Sequence, residues 1–340
     1  MKKYKICKIL LVILAIFLCV AFYELLGICV AYKKQPEVSN TTKKETKNGS
    51  WNECSENTER AVIIEKNPEA LLQRVRLIKN AKKEIILSTF AFQSDESGKL
   101  ILGALHDAAD RGVHIRLLVD GMESWIDMEG NPYFYGLSSH ENVEIKLYNK
   151  ANPLKPWKMM GRMHDKYLIA DGKRYILGGR NTYNYFLGDF PGHKNYDRDV
   201  LVVCDEPEKE NSVNQLLEYF ETIWEQEDSG YFHDNKKLAN RKSVKNAVLE
   251  LQNGYQKYFE ENKERICDTD YTDETFETEK IALVSNPIHT GSKEPVVWYQ
   301  LGELMKNAKN RVKIHTPYII CNDMMYNTWE EIAENVSDFS

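Results

Sequence analysis

The 340-residue sequence has no surplus of positive charge: 45 Lys and Arg stand against 51 Asp and Glu, a formal net charge of −6. A chain built chiefly to hold nucleic acid usually presents a basic field, so this balance weighs against that class and leaves room only for a local basic groove. Nor do the seven cysteines form a metal-ligand pattern. Cys7, Cys19 and Cys29 lie in or near the N-terminal apolar run. Cys54, Cys204, Cys267 and Cys321 are scattered without CxxC spacing, so no zinc site is indicated. Cys204 ends a valine-rich stretch and reads as a small buried apolar residue. A Cys54–Cys267 disulfide is open to the chain in an oxidising compartment, but spacing alone does not establish the geometry.

A small-x-small cleavage site is also missing after the first apolar run. Residues 1–8 form a basic leader with Lys2, Lys3, Lys5 and Lys8. Ile9 to Tyr32 then run with Glu24 as the only charge. A bilayer span needs about 20 apolar residues. Leu26-Gly27-Ile28-Cys29 is a poor lipidation box because Ile28 is too large. The expectation is an uncleaved transmembrane helix over 9–32 rather than a signal peptide or a buried core helix. Lysines flank it on both sides, and the short basic leader weakly favours the N-terminus inside and the main domain outside.

Residues 33–60 are polar and read as a linker. From Ala61 strands alternate with helices, which implies a mixed or largely parallel sheet covered on both faces, an α/β fold. "AVIIE", "IILSTFAF", "VHIRLLVDG" and "VEIKLY" are the strands. "PEALLQRVRLIKNAKKE" opens with a helix carrying Pro68 at its start, and "KLILGALHDAADRG" is a helix stopped by Gly112. "MHDKYLIA" and "KRYILGG" flank Asp171-Gly172, a two-residue hairpin signal. "DRDVLVVC" follows, then an amphipathic helix over "EKENSVNQLLEYFETIWEQ". The expected divisions are a first repeat over 61–228, a charged connector over 229–279 and the start of a second repeat over 280–340. The last rests on "KNAKKEIILSTFAF" from Lys79 resembling "KNAKNRVKIHTPYI" from Lys306, and on "KIALVSNP" from Lys280 standing where "AVIIEKNP" stood.

The chemistry concentrates in "MHDKYLIADGKRYILGGRN", Met163 to Asn181. On a strand, residues i and i+2 share a face, so His164 and Lys166 project together while Asp165 and Tyr167 point away. A neutral imidazole beside an ammonium suits attack on a phosphodiester, with lysine supplying a point charge to the phosphate oxygens. Gly178 and Gly179 allow close backbone approach to an anion, and the Asn181 amide can donate to a phosphate oxygen. Asp171 has sufficient reason as a hairpin-tip residue. The scheme needs no metal and no cofactor. Tyr183, Tyr185 and Phe186 read as core packing before a lipid cleft, and Lys155 to Met160, "KPWKMM", as a surface loop or a contact with an anionic membrane surface.

His164-x-Lys166-x4-Asp171-x6-Gly178-Gly179-x-Asn181 resembles the HKD signature of the phospholipase D superfamily. "ADRGVHIRLLVDG", "GGRN" and "YDRDVLVV" resemble its bacterial cardiolipin synthase branch. The resemblance implies a phospholipase D-like mixed sheet flanked by helices. It also implies a phosphohistidine intermediate on His164, Lys166, Gly179 and Asn181 on the phosphate, and Gly178 and Asp171 as structural parts of the motif. A carboxylate of the downstream strand would orient the histidine: Asp197 first, Asp199 as second choice and otherwise structural. The implied reaction joins two phosphatidylglycerol molecules into cardiolipin and releases glycerol at the bacterial cell membrane.

Family members use two such motifs around one site, and no second H-x-K-x4-D occurs here. The expectation is therefore a second repeat that is truncated and a chain inactive by itself, completed by a missing C-terminal half or by a homodimer. The alternatives are a dimeric phosphodiesterase acting on nucleic acid, which the charge disfavours, and a non-catalytic remnant.

Overall fold

The computed structural model describes residues 2–49, 59–207, 211–233, 235–316 and 318–340. Cys54 of the expected disulfide pair lies outside them; Cys267 is an exposed free thiol. The chain begins with α1 (Lys2–Ala31), one helix apolar over Tyr4–Ala31 and long enough to cross a membrane. After it come α2 (Asn40–Asn48), β1 (Arg60–Ile64), α3 (Asn67–Asn80), β2 (Glu84–Thr89), α4 (Glu96–Asp110) and β3 (His114–Asp120). The short α5 (Glu123–Asp127) and α6 (Pro132–Ser138) lead to β4 (Val143–Tyr148), β5 (Tyr167–Ala170), β6 (Arg174–Gly178), β7 (Asp199–Val203) and α7 (Ser212–Trp224). The rest comprises β8 (Ser229–Tyr231), α8 (Lys242–Glu261), α9 (Lys263–Cys267), β9 (Phe276–Glu277), α10 (Val296–Lys306), β10 (Arg311–Val312), α11 (Asp323–Asn335) and β11 (Asp338–Phe339).

Nine strands form one mixed sheet in the order β8-β4-β3-β2-β5-β6-β7-β1-β9. β2, β3 and β4 are parallel, and every other pairing is antiparallel. Alternation along each strand feeds two cores. Ile85 and Leu87 join Ile115, Leu117 and Val119 under α3, α4, α6 and α8. Ile86 and Leu118 join Tyr167, Tyr175 and Val202 under α7, whose Val213, Leu216 and Phe220 face the sheet. α4 ends where Gly112 takes a φ of +88°, a left-handed turn that glycine adopts without strain.

Three expected boundaries change. The 229–279 stretch is no separate connector. β8 extends the sheet beside β4, and α8 lays Val244, Leu251, Tyr255 and Phe259 into the core. An amphipathic stripe, diluted by surrounding charge in the sequence, decides its place. The 33–60 linker is partly folded. Ser39 caps α2, and Thr42 Oγ1 donates to Glu294 at 2.6 Å. Finally, residues 281–284 form no strand. Ile281 and Leu283 pack beside α7, and the Leu283 N–H donates to Gln215 Oε1 at 2.8 Å. β10, α11 and β11 form a parallel β-α-β unit, as β2, α4 and β3 do.

Candidate active site

The parallel strands β2, β3 and β4 end at one edge of the sheet, where ligands of open α/β sheets usually bind. β5 starts and β6 ends at this same edge, because both run antiparallel to their neighbours. Met163 to Lys166 do not belong to β5 itself; they are an extended lead-in to it. That lead-in keeps the alternation of a strand. The His164 ring lies 4.6 Å from Phe90, centroid to centroid, and Lys166 Nζ stands 5.3 Å from the same ring. Asp165 turns the other way and accepts from the Tyr219 hydroxyl at 2.7 Å.

His164 is exposed on one side and desolvated on the other. That desolvation, with the Lys166 charge second, lowers its pKa below the usual 6.5, against a smaller opposing pull from Asp120. The imidazole is therefore neutral at neutral pH, as a nucleophile must be. Lys166 is buried and donates to the His164 carbonyl at 2.5 Å. Burial pulls its pKa down to about 8, while Asp165, Asp197 and Asp120 hold it up. Asp165, half-buried, has its pKa raised by desolvation.

The double glycine has a different cause from the one the sequence implies. A Cβ on Gly179 would overlap the Asp197 carboxylate, and one on Gly178 would overlap Asp199 Oδ1. Both positions are small because β7 and the stretch just before it bring carboxylates against them. Gly178 N–H is engaged as well, donating to the Lys166 carbonyl at 3.1 Å. Asn181 is buried. Its Oδ1 accepts the Ala91 N–H at 3.2 Å. Tyr183, Tyr185 and Phe186 stack on one another and pack against the core.

The expected pairing of His164 with Asp197 is absent: no hydrogen bond joins them. Asp197 Oδ1 accepts the Arg198 N–H at 2.7 Å, its backbone oxygen is held by Arg180, and the carboxylate lies against Gly179. Its charge acts on Lys166 instead. The two residues also line different cavities. His164, Lys166, Tyr219 and Lys293 line one of about 410 Å³; Asp197, Lys66, Arg198 and His315 line one of about 800 Å³. Asp199 has no access to a substrate. It is buried between Arg74 Nη1 at 2.9 Å and Arg180 Nη1 at 3.2 Å. Asp171 accepts the backbone N–H groups of Lys82, Lys83 and Glu84 and sits at φ +54°, with Gly172 at +62°.

Three contributors escape a sequence reading. Phe90 backs both motif side chains. Asp120, the last residue of β3, accepts Arg162 through both oxygens at 2.6 and 2.9 Å and the Met163 N–H at 3.1 Å, fixing the approach to His164. Arg180 anchors the turn to Ile64, Glu65 and Asn67. Only Asp120 leaves a sequence signal, as an aspartate ending a parallel strand before a glycine.

This fold and this edge are those of a phospholipase D-like domain. Residues 74–224, somewhat less than half of the chain, match the family described as cardiolipin synthase, PLD-like domain. The chain is 29% identical over 288 residues to a protein of Helicobacter pylori (strain ATCC 700392 / 26695), covering 76% of this chain and 54% of that one. It is 29% identical over 171 residues to cardiolipin synthase C of Escherichia coli (strain K12), covering 46% and 34%. Against cardiolipin synthase 1 of Staphylococcus aureus (strain MRSA252) it is 34% identical over 117 residues, covering 34% and 23%. The chain thus spans about half or less of the length of these relatives. Phosphatidylserine synthase of Haemophilus influenzae Rd KW20 shares the fold at a TM-score of 0.58 and 16% identity, over 87% of this chain and 65% of that one.

Proposed function

We propose that this chain is a membrane-anchored phosphatidyltransferase of the cardiolipin synthase type, converting two phosphatidylglycerol molecules into cardiolipin and glycerol. One observation carries the reading. A neutral His164 and a buried Lys166 stand against Phe90 at the sheet edge, inside a segment that matches the cardiolipin synthase family. His164 attacks phosphorus: an N–P bond forms and the P–O bond to glycerol breaks. The electron pair goes to the departing oxygen, which takes a proton from an acid. A hydroxyl of the second phosphatidylglycerol then attacks phosphorus and gives up its proton, and the N–P pair returns to the ring. Lys166 and the Asn181 amide stabilise charge on the phosphoryl oxygens, and Asp165, followed by Asp197 and Asp120, favours the charged form of Lys166. No metal or cofactor enters the scheme. The scheme takes this acid from a second His-x-Lys unit, which the His164 and Lys166 of another copy of this chain would supply.

The test is thin-layer separation of products from labelled phosphatidylglycerol, with the chain in membranes of a strain lacking its own cardiolipin synthesis. His164→Ala is expected to lower cardiolipin formation at least a hundredfold while the chain still accumulates and folds. Retention within tenfold defeats the assignment of His164 as nucleophile.

A further inference from the structure

α1 does not project freely from the domain. Glu24, Gly27, Ile28 and Ala31 fall on one helical face and are its half-buried positions. That face packs against the loop over 151–160. Tyr23 donates to the Leu154 carbonyl at 3.0 Å, and a Cβ on Gly27 would come within 2.5 Å of Pro156 Cγ. A second loop joins the contact: Ser292 donates to the Ala31 carbonyl at 3.3 Å and Tyr32 to the Thr290 carbonyl at 2.6 Å.

This packing fixes the loop's depth. A span of about 20 residues counted from Ile9 ends at Ile28. At about 1.5 Å per residue, Tyr23 stands about 7 Å inside that boundary and Gly27 about 2 Å inside it. The loop beside them is therefore level with the outer hydrocarbon and the headgroups. Its composition fits that depth: Leu154 is 77% exposed, Met160 58% and Trp157 45%, apolar side chains that water disfavours and a leaflet accepts. Tryptophan is favoured at this boundary because its ring is apolar and its N–H polar. Cations surround the tip. Lys158 is paired with Asp228 at 2.7 Å and Lys150 donates to the Tyr231 carbonyl at 2.6 Å. Lys155, exposed next to Leu154, makes no side-chain hydrogen bond or ion pair among the described residues.

We propose that residues 151–160 are a second membrane contact, in which Leu154, Trp157 and Met160 insert into an anionic leaflet and Lys155 meets a lipid phosphate. The inference rests on reading α1 as a membrane span and His164 as acting on lipid. Its consequence is geometric. Arg162, held by Asp120, comes two residues after the loop and His164 two residues later still, so the insertion sets the reactive imidazole at the level of lipid phosphodiesters.

The full chain is reconstituted into vesicles of phosphatidylcholine and phosphatidylglycerol, and flotation establishes insertion. The emission of wild type minus that of Trp157→Phe isolates Trp157. Lipids brominated near the headgroup end of the acyl chain are expected to quench it at least twofold, and aqueous iodide is expected to leave it unchanged. A floating protein whose Trp157 is quenched by iodide and not by brominated lipid overturns the proposal. A protein that fails to float overturns it by removing the span. A second arm uses the triple variant Leu154→Asp, Trp157→Asp, Met160→Asp. Turnover of vesicle lipid should fall at least tenfold while cleavage of a soluble nitrophenyl phosphodiester stays within twofold; equal loss on both substrates overturns the positioning role. If wild type turns over neither substrate, the quenching result alone decides the membrane contact.

Discussion

The Asp171 carboxylate, at the tip of the β5–β6 hairpin, accepts the Lys83 backbone N–H at 2.7 Å, tying the hairpin to the turn between α3 and β2. With the Lys82 and Glu84 donors it caps the start of β2, a contact that no substrate need touch. Asp171→Ala should therefore destabilise the domain by about 2–4 kcal/mol, as charge-assisted hydrogen bonds and a left-handed position are both lost. Urea unfolding measures this. Turnover per folded molecule should change less than threefold; a hundredfold drop in fully folded protein would make Asp171 catalytic.

Gly178→Ala and Gly179→Ala should fail differently. The first pushes on Asp199 and its buried ion pairs, the second on Asp197 and through it on Lys166. Overpacking of this kind typically costs about 1–3 kcal/mol. Gly178→Ala is expected to lose more stability and Gly179→Ala more turnover, at least tenfold. Thermal unfolding set beside soluble-diester cleavage tells them apart, and identical behaviour contradicts the division.

Asp199→Ala leaves the Arg74 and Arg180 guanidinium groups buried beside one another without their shared carboxylate. Removing one partner of a buried pair costs about 3–5 kcal/mol. A loss below 1 kcal/mol by denaturant titration would show that the triad does not hold β7 to α3.

The pH dependence follows from the two motif side chains. His164 must be neutral to attack, and its pKa is lowered, so the acid limb should lie below pH 6.5. Lys166 must be charged, and with a pKa of about 8 it should let activity fall as pH rises through that value. Lys166→Arg keeps its charge far above this range. Its profile should lack the basic limb, at reduced absolute rate. A basic limb unchanged in that variant assigns it to another group.

Alkaline carbonate extraction should leave the chain with the membrane pellet, because the apolar face of α1 away from the domain is open to lipid. Release into the supernatant would mean that α1 does not span.

The motif spacing and the strand-helix rhythm were legible because they are local. β4 occupies the stretch read for it, and Gly112 ends a helix as glycine commonly does. What sequence alone could not disclose are relationships across the chain. Arg180 stands between Gly179 and Asn181, yet three of its partners are Ile64, Glu65 and Asn67, more than a hundred residues earlier. Asp197 has the composition of a histidine partner, and its direction was decided by the Arg198 N–H and the missing Cβ of Gly179. α8 reads as charged because its solvent face is charged. Only the neighbours of Leu251 and Tyr255 show that its other face is core.

The first strand of the sheet and its mate are far apart in the order of synthesis. β1 pairs with β7 from Arg60 against Val203 to Ile64 against Asp199. At roughly 5–20 residues per second, the two strands leave the ribosome roughly 7–27 s apart. α1 precedes both, so the nascent chain can be committed to the bilayer before its first strand has a mate. The edge that carries His164 would then be completed beside the membrane, with β1 kept waiting there.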